Sequence, residues 1–112
     1  YIVVKDTVNQ KNITIPENEI IYAQADNIYA EVVTAQGIFL YSNKISLLEK
    51  ELNEAYFYRS NRSYIVNFNY IIGYSKKEIE FSNGQKALIS SSKFKDFKSK
   101  YLNYLKRKSI GE

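Results

Sequence analysis

The run Tyr56-Phe57-Tyr58-Arg59-Ser60-Asn61-Arg62-Ser63-Tyr64-Ile65-Val66 places aromatic and β-branched residues on either side of five polar ones. Aromatic and β-branched side chains suit the pleated, half-buried surface of a strand. Ser and Asn bond to their own backbone and so favour turns. The run therefore predicts strand over Phe57–Arg59, a polar loop over Ser60–Ser63, and strand again over Tyr64–Val66. With 11 Tyr and 6 Phe in the chain, the same bias is general.

Upstream, Ile2–Lys5 and Asn12–Ile15 read as strands, with Pro16-Glu17-Asn18 as a turn. Glu19–Ala25 and Ile28–Thr34 pair across Asp26-Asn27, and Gly37 turns the chain into Ile38–Tyr41. Downstream, Tyr70–Tyr74 is interrupted at Gly73. Glu78–Phe81 and Lys86–Ile89 flank Ser82-Asn83-Gly84, and Asn-Gly is a strong hairpin signal.

Twice the apolar period lengthens from two to about 3.6. Ile45, Leu48 and Leu52 share a helical face, which predicts a short helix at about 44–53. Ser42 or Asn43 would cap it, and Ser46 with Glu49 has capping-box spacing. A second helix at about 92–107 would bury Phe94, Phe97, Tyr101, Leu102 and Leu105, with Ser90-Ser91-Ser92 at its start and a lysine-rich outer face. The fold class is thus mostly β, with two short helices. A chain of 112 residues fits one domain, 1–112, with one core. It contains no Met, so it is expected to be a piece excised from a longer protein.

The chemistry is restricted. There is no His and no Cys, which removes the usual general base, the thiol nucleophile and most transition-metal sites. Glu78 and Glu80 share a strand face but read as solvated edge charges. No glycine-rich phosphate loop exists among the four glycines. The expectation is a binding module: no catalytic residue, no metal, no cofactor. No apolar run is long enough for a membrane-spanning helix.

The net charge is +4, and it is polarised. Seven basic residues and one acid, Asp96, lie between Lys93 and Lys108, which suits a polyanion. Two arginines and two serines lie in or beside the central loop. Arg forks fit guanine edges or phosphates, and Ser and Asn can donate to phosphate oxygens. Arg59 could equally form an ion pair, Arg62 could serve structure or binding, and the aromatics could be core. Ser90-Ser91-Ser92-Lys93 could seat a phosphate or simply start a helix. Asp26-Asn27 could be no more than a hairpin turn. On these residues alone three partners stay open: duplex DNA, single-stranded nucleic acid stacked on tyrosines, and a protein or anionic membrane met by the last helix.

Taken together, Tyr58-Arg59-Ser60-Asn61-Arg62-Ser63-Tyr64-Ile65-Val66-Asn67-Phe68-Asn69-Tyr70-Ile71 resembles the central motif of the LytTR family: aromatic, Arg, a variable residue, His-Arg-Ser, aromatic, aliphatic, Val-Asn, and a spacer before Ile. Glu19–Asp26 resembles that family's early strand ending in Glu-Ala-Asp. Phe81-Ser82-Asn83-Gly84 resembles its late hairpin, and Ser91-Ser92-Lys93-Phe94 its Ser-Arg-Arg-aromatic segment. The resemblance spans roughly Asn12 to Leu105.

It implies an elongated arrangement of antiparallel sheets and sequence-specific binding to double-stranded promoter DNA. The chain would be the cytoplasmic output domain of a bacterial two-component response regulator, behind an N-terminal receiver or sensor domain. It would act as a dimer on tandem repeats, with loops in successive major grooves and no membrane partner. Carried over by position, the contacts are Asn27 and Tyr29, then Ser60, Asn61, Arg62 and Ser63, then Ser91, Ser92 and Lys93. Asn61 stands where the family commonly has His, and Ser92 where it commonly has Arg. Both departures lower the positive charge.

Overall fold

Alternating side chains need two buried faces or one, and here the central strands have two. The computed structural model describes residues 1–110. In chain order the strands are β1 (Ile2–Asp6), β2 (Lys11–Ile15), β3 (Ile20–Asp26), β4 (Tyr29–Thr34) and β5 (Gly37–Tyr41). Helix α1 (Ile45–Glu51) follows, then β6 (Phe57–Asn61), β7 (Tyr64–Asn67), β8 (Ile71–Tyr74), β9 (Glu78–Phe81), β10 (Lys86–Leu88) and helix α2 (Phe94–Ser109). Seven strands form one sheet in the order β2-β1-β5-β4-β3-β7-β6, and β10-β9-β8 form a smaller one. All described pairings are antiparallel. The molecule measures 40 × 31 × 26 Å, so it is moderately elongated.

Neighbouring residues of the large sheet feed opposite cores, as the period-two pleat requires. Val32, Ile65 and Phe57 join Ile45, Leu48 and Leu52 beneath α1. Val33, Val66 and Tyr58 face the other way, against Phe97, Tyr101 and Tyr104 of α2 and Ile79, Phe81 and Ala87 of the small sheet. Aromatic rings knit this second core: Tyr22 stacks on Phe81 with centroids 5.0 Å apart, and Phe68 meets Phe97, Tyr101 and Tyr104. Buried Asn67, at the end of β7, ties that end to the start of β3 and to the turn that follows it. Its amide donates to the Ile20 carbonyl (2.8 Å) and its oxygen accepts from Asn69 N–H (2.9 Å).

Several expectations need correction. The α1 N-cap is Lys44, with no side-chain capping bond. Ser42 and Asn43 fall outside the helix and Ser46 falls within it, so α1 starts without a side-chain cap and is seated by its buried face. On α2 the apolar stripe runs Phe97, Tyr101, Tyr104 rather than through Leu102 and Leu105, which stay 43% and 41% exposed. At 100° per residue Tyr101 and Tyr104 lie nearly above Phe97, whereas Leu102 and Leu105 are rotated away. Tyr104 also reaches Asn69 with its hydroxyl. Strand β6 runs two residues further than its polar composition suggests.

Phe97 is wholly buried. Truncating it should cost about 3–5 kcal/mol, since a large cavity forms under both sheets. Chemical denaturation of Phe97→Ala against the parent measures this, and a loss below about 1 kcal/mol would contradict the packing described.

Candidate nucleic-acid interface

Three polar turns are brought together by strand pairing. Strand β3 pairs with β7 through Tyr22↔Val66, Ala23↔Ile65 and Gln24↔Tyr64. The β3–β4 turn and the β6–β7 turn therefore stand at the same end of four adjacent strands. A backbone bond from Ala25 N–H to the Ser63 carbonyl (2.8 Å) joins them directly.

The third segment is attached through a bulge. The β6–β7 register shifts between Arg59 and Asn61, so Ser60 is the extra residue. Ser60 is 0% exposed. Its hydroxyl donates to the Leu88 carbonyl (2.8 Å), and its own carbonyl accepts from Ser90 N–H (2.9 Å). Asn61 adds a bond from its amide to Ser90 Oγ (3.3 Å), while its oxygen accepts from Ser63 N–H (2.9 Å) and closes the turn. The segment Ser90–Lys93 thus lies along the free edge of β6, at the same end as the other two turns.

Each expected site residue can now be placed. Asn27 occupies the left-handed region with φ 58°, a conformation that Asn tolerates better than most residues. It is exposed, as are Ile28 (57%) and Tyr29 (40%) beside it. Arg62 is exposed at the tip of the second turn, and among the described residues no ion pair or side-chain hydrogen bond holds it. Asn61 and Ser63 are half-buried. Ser91, Ser92 and Lys93 form an exposed 3-10 turn ahead of α2, without a side-chain cap. The capping role read for these serines is therefore absent. Ser60, expected on phosphates, lies in the interior and serves the scaffold instead.

Lys93 has its backbone at this end, but its ammonium rests 5.8 Å from the Tyr58 ring centroid, with Lys100 at 5.7 Å. Tyr58 donates to Asp96 (2.8 Å), which holds that carboxyl below its usual range, helped by Lys100. Burial, and then the bond to Asp96, push the Tyr58 hydroxyl well up. Lys93 adds a further, smaller attraction on the same carboxyl, so its exposed ammonium lies near both Tyr58 and Asp96.

Sequence reasoning left Arg59 open, and the structure makes it a brace. Its guanidinium donates to Glu49 of α1 (2.8 Å), to the Asn61 carbonyl (3.0 Å) and to the Arg62 carbonyl. Three donors of one planar fork thus fix the central turn to a helix below it.

The fold and this end of it define a class: an antiparallel β domain whose exposed polar groups sit on turn tips, carried by a buried scaffold. Among the described residues no group of acids is placed to hold a metal ion, and no helix is long and apolar enough to cross a membrane. The family model of the LytTr DNA-binding domain matches residues 10–102. The chain belongs to the LytTR family, a family of DNA-binding domains and not of enzymes. A solved structure with the same fold is described as the LytTr DNA-binding domain of a methyl-accepting/DNA response regulator from Bacillus cereus. It aligns with a TM-score of 0.78 at 22% identity, covering 88% of this chain and 94% of that one. No curated protein sequence matches the chain.

Ser60→Ala should lower stability by about 1–3 kcal/mol, because the Leu88 carbonyl loses its buried donor. In a thermal melt that is a fall of about 4–8 °C per kcal/mol. An unchanged melt would show that the clamp is dispensable.

Proposed function

We propose that the chain binds duplex promoter DNA sequence-specifically, through the three turns, as the output domain of a bacterial two-component response regulator. The observation that carries this reading is the gathering of Asn27, Arg62 and Lys93 at one end of the sheet by backbone hydrogen bonds. An α-helix is not needed for this. Loops on a rigid sheet can present donors to base edges while their serines hold phosphates.

The residues divide by chemistry. Arg62 would give its fork to guanine O6 and N7 or to phosphate. Asn27 and Asn61 carry amides able to pair with adenine N6 and N7. Ile28 and Tyr29 flank the first tip, and an apolar group there suits a thymine methyl. Ser63, Ser91 and Ser92 would fix register on the backbone, and Lys93 would swing to a groove or a phosphate. A duplex lying across turns spaced along one face would receive them in successive major grooves. Two modules on tandem repeats would then act as a dimer on DNA. With Asn61 and Ser92 where the family has His and Arg, more of the affinity rests on Arg62 and the lysines.

Selection of bound duplexes from a random pool supplies the site. On that site Arg62→Ala should lose about 1–3 kcal/mol of binding, while the melting temperature stays within a few degrees. Unfolding of Arg62→Ala would make the residue structural. A consistent preference for unpaired oligonucleotides over duplexes would overturn the reading.

Asn27→Gly keeps the left-handed backbone accessible and removes only the amide. It should preserve the melt and weaken duplex binding. Equal affinity would mean that the first turn is a hairpin and nothing more.

A further inference from the structure

The β8–β9 turn, Ser75-Lys76-Lys77, lies at the same end as the three loops and carries two cations. Its place follows from register. Leu88 pairs with Glu78, so the start of β9 stands where β10 runs on toward Ser90. Tyr74 pairs with Ile79, which brings the end of β8 there as well. Ile89 N–H donates to the Lys77 carbonyl (3.1 Å), and the next residue, Ser90, donates to Ser60 (2.9 Å). The backbone links Ala25–Ser63, Ser60–Ser90 and Ile89–Lys77 therefore form one series across the end of both sheets.

The turn is fixed rather than loose. Ser75 Oγ accepts from Lys77 N–H (3.2 Å) and Glu78 N–H (3.3 Å), and Ser75 N–H donates to the Glu78 carbonyl (2.8 Å). Lys76 and Lys77 are exposed, and among the described residues neither makes an ion pair. The adjacent acid, Glu78, is taken by Lys86 (3.3 Å). The opposite tip of the small sheet, Ser82-Asn83-Gly84-Gln85, carries no charge. The turn thus presents two consecutive exposed cations, neither of them in an ion pair among the described residues. An anion lying across the turn would pair with them.

We propose that Lys76 and Lys77 form a fourth DNA contact, a sequence-independent clamp on phosphates flanking the stretch met by Ser91–Lys93. The inference rests on the duplex-binding reading above. An ammonium is a compact point charge without a planar fork, so it holds phosphates rather than reading bases. Each phosphate neutralised on duplex DNA releases about 0.9 counterion, which makes the contact visible in the salt dependence.

The test compares the parent with the double variant Lys76→Gln, Lys77→Gln. Both are titrated on a mixed-sequence duplex of about 30 base pairs and on the selected site, at several salt concentrations. The variant should show a slope of log K against log salt shallower by about 2 on both duplexes. Between 50 and 200 mM salt the parent should then lose about tenfold more affinity than the variant. The order of preference among selected sequences should not change. Trimming the duplex back to the site on one flank, and not the other, should abolish the difference. Equal slopes, or a changed sequence preference, overturn the clamp and leave the reading of the three turns standing. A parent that binds neither duplex overturns that reading and the clamp with it.

Discussion

Ser60 is where the demands of the whole molecule meet. Strand β6 must pair with β7 on one side, and on the other it must anchor the segment that follows β10. As the edge strand of the sheet it has outward backbone groups to spare. At the bulge the Ser60 carbonyl accepts from Ser90 while the hydroxyl reaches Leu88. A buried polar residue is tolerated only when its bonds are made, and here both ends of the side chain's neighbourhood are occupied. Loss of this junction would loosen the third turn on the edge of β6, while the shared aromatic core still joins the two sheets.

The two cores share one sheet, and this makes the end that carries the turns stiff. Beneath it α1 packs Leu48 and Leu52, and above it α2 and the small sheet pack Phe97, Tyr101 and Phe81. Arg59 extends that stiffness to the tip of the central turn by tying two of its carbonyls to Glu49. Arg62, exposed at that same tip, is thereby presented on a fixed base. Positioning of this kind limits the entropy lost when a side chain finds its partner.

Much of this was legible in the sequence, for identifiable reasons. The hairpins at Asp26-Asn27 and Asn83-Gly84 announced themselves because turn chemistry is local. The helices were visible from their period, and the core aromatics from strand bias. What stayed hidden depended on partners distant in the chain. Ser60 reads as a loop residue because its acceptor, Leu88, is far away along the sequence. Leu102 and Leu105 looked like core because hydrophobicity favours Leu over Tyr, yet Tyr104 won the position through its spacing from Phe97 and its hydroxyl bond to Asn69. Lys76 and Lys77 carry no local signal, and only the register places them at the end where Ser90 lies. The candidate turns themselves were found in sequence; their common end could only come from strand pairing.

A binding surface divided among separate turns, as proposed here, has a consequence for how such a domain diversifies. On that reading the two hairpin tips can change without disturbing the ladder that carries them, so preference for one stretch of ligand can drift while the others are kept. The freedom is unequal. At Asn27 the left-handed backbone confines substitutions to a few residue types, whereas at Arg62 the backbone is held by Arg59 and the side chain is unconstrained. Retargeting should therefore proceed fastest at the middle tip and slowest at the first.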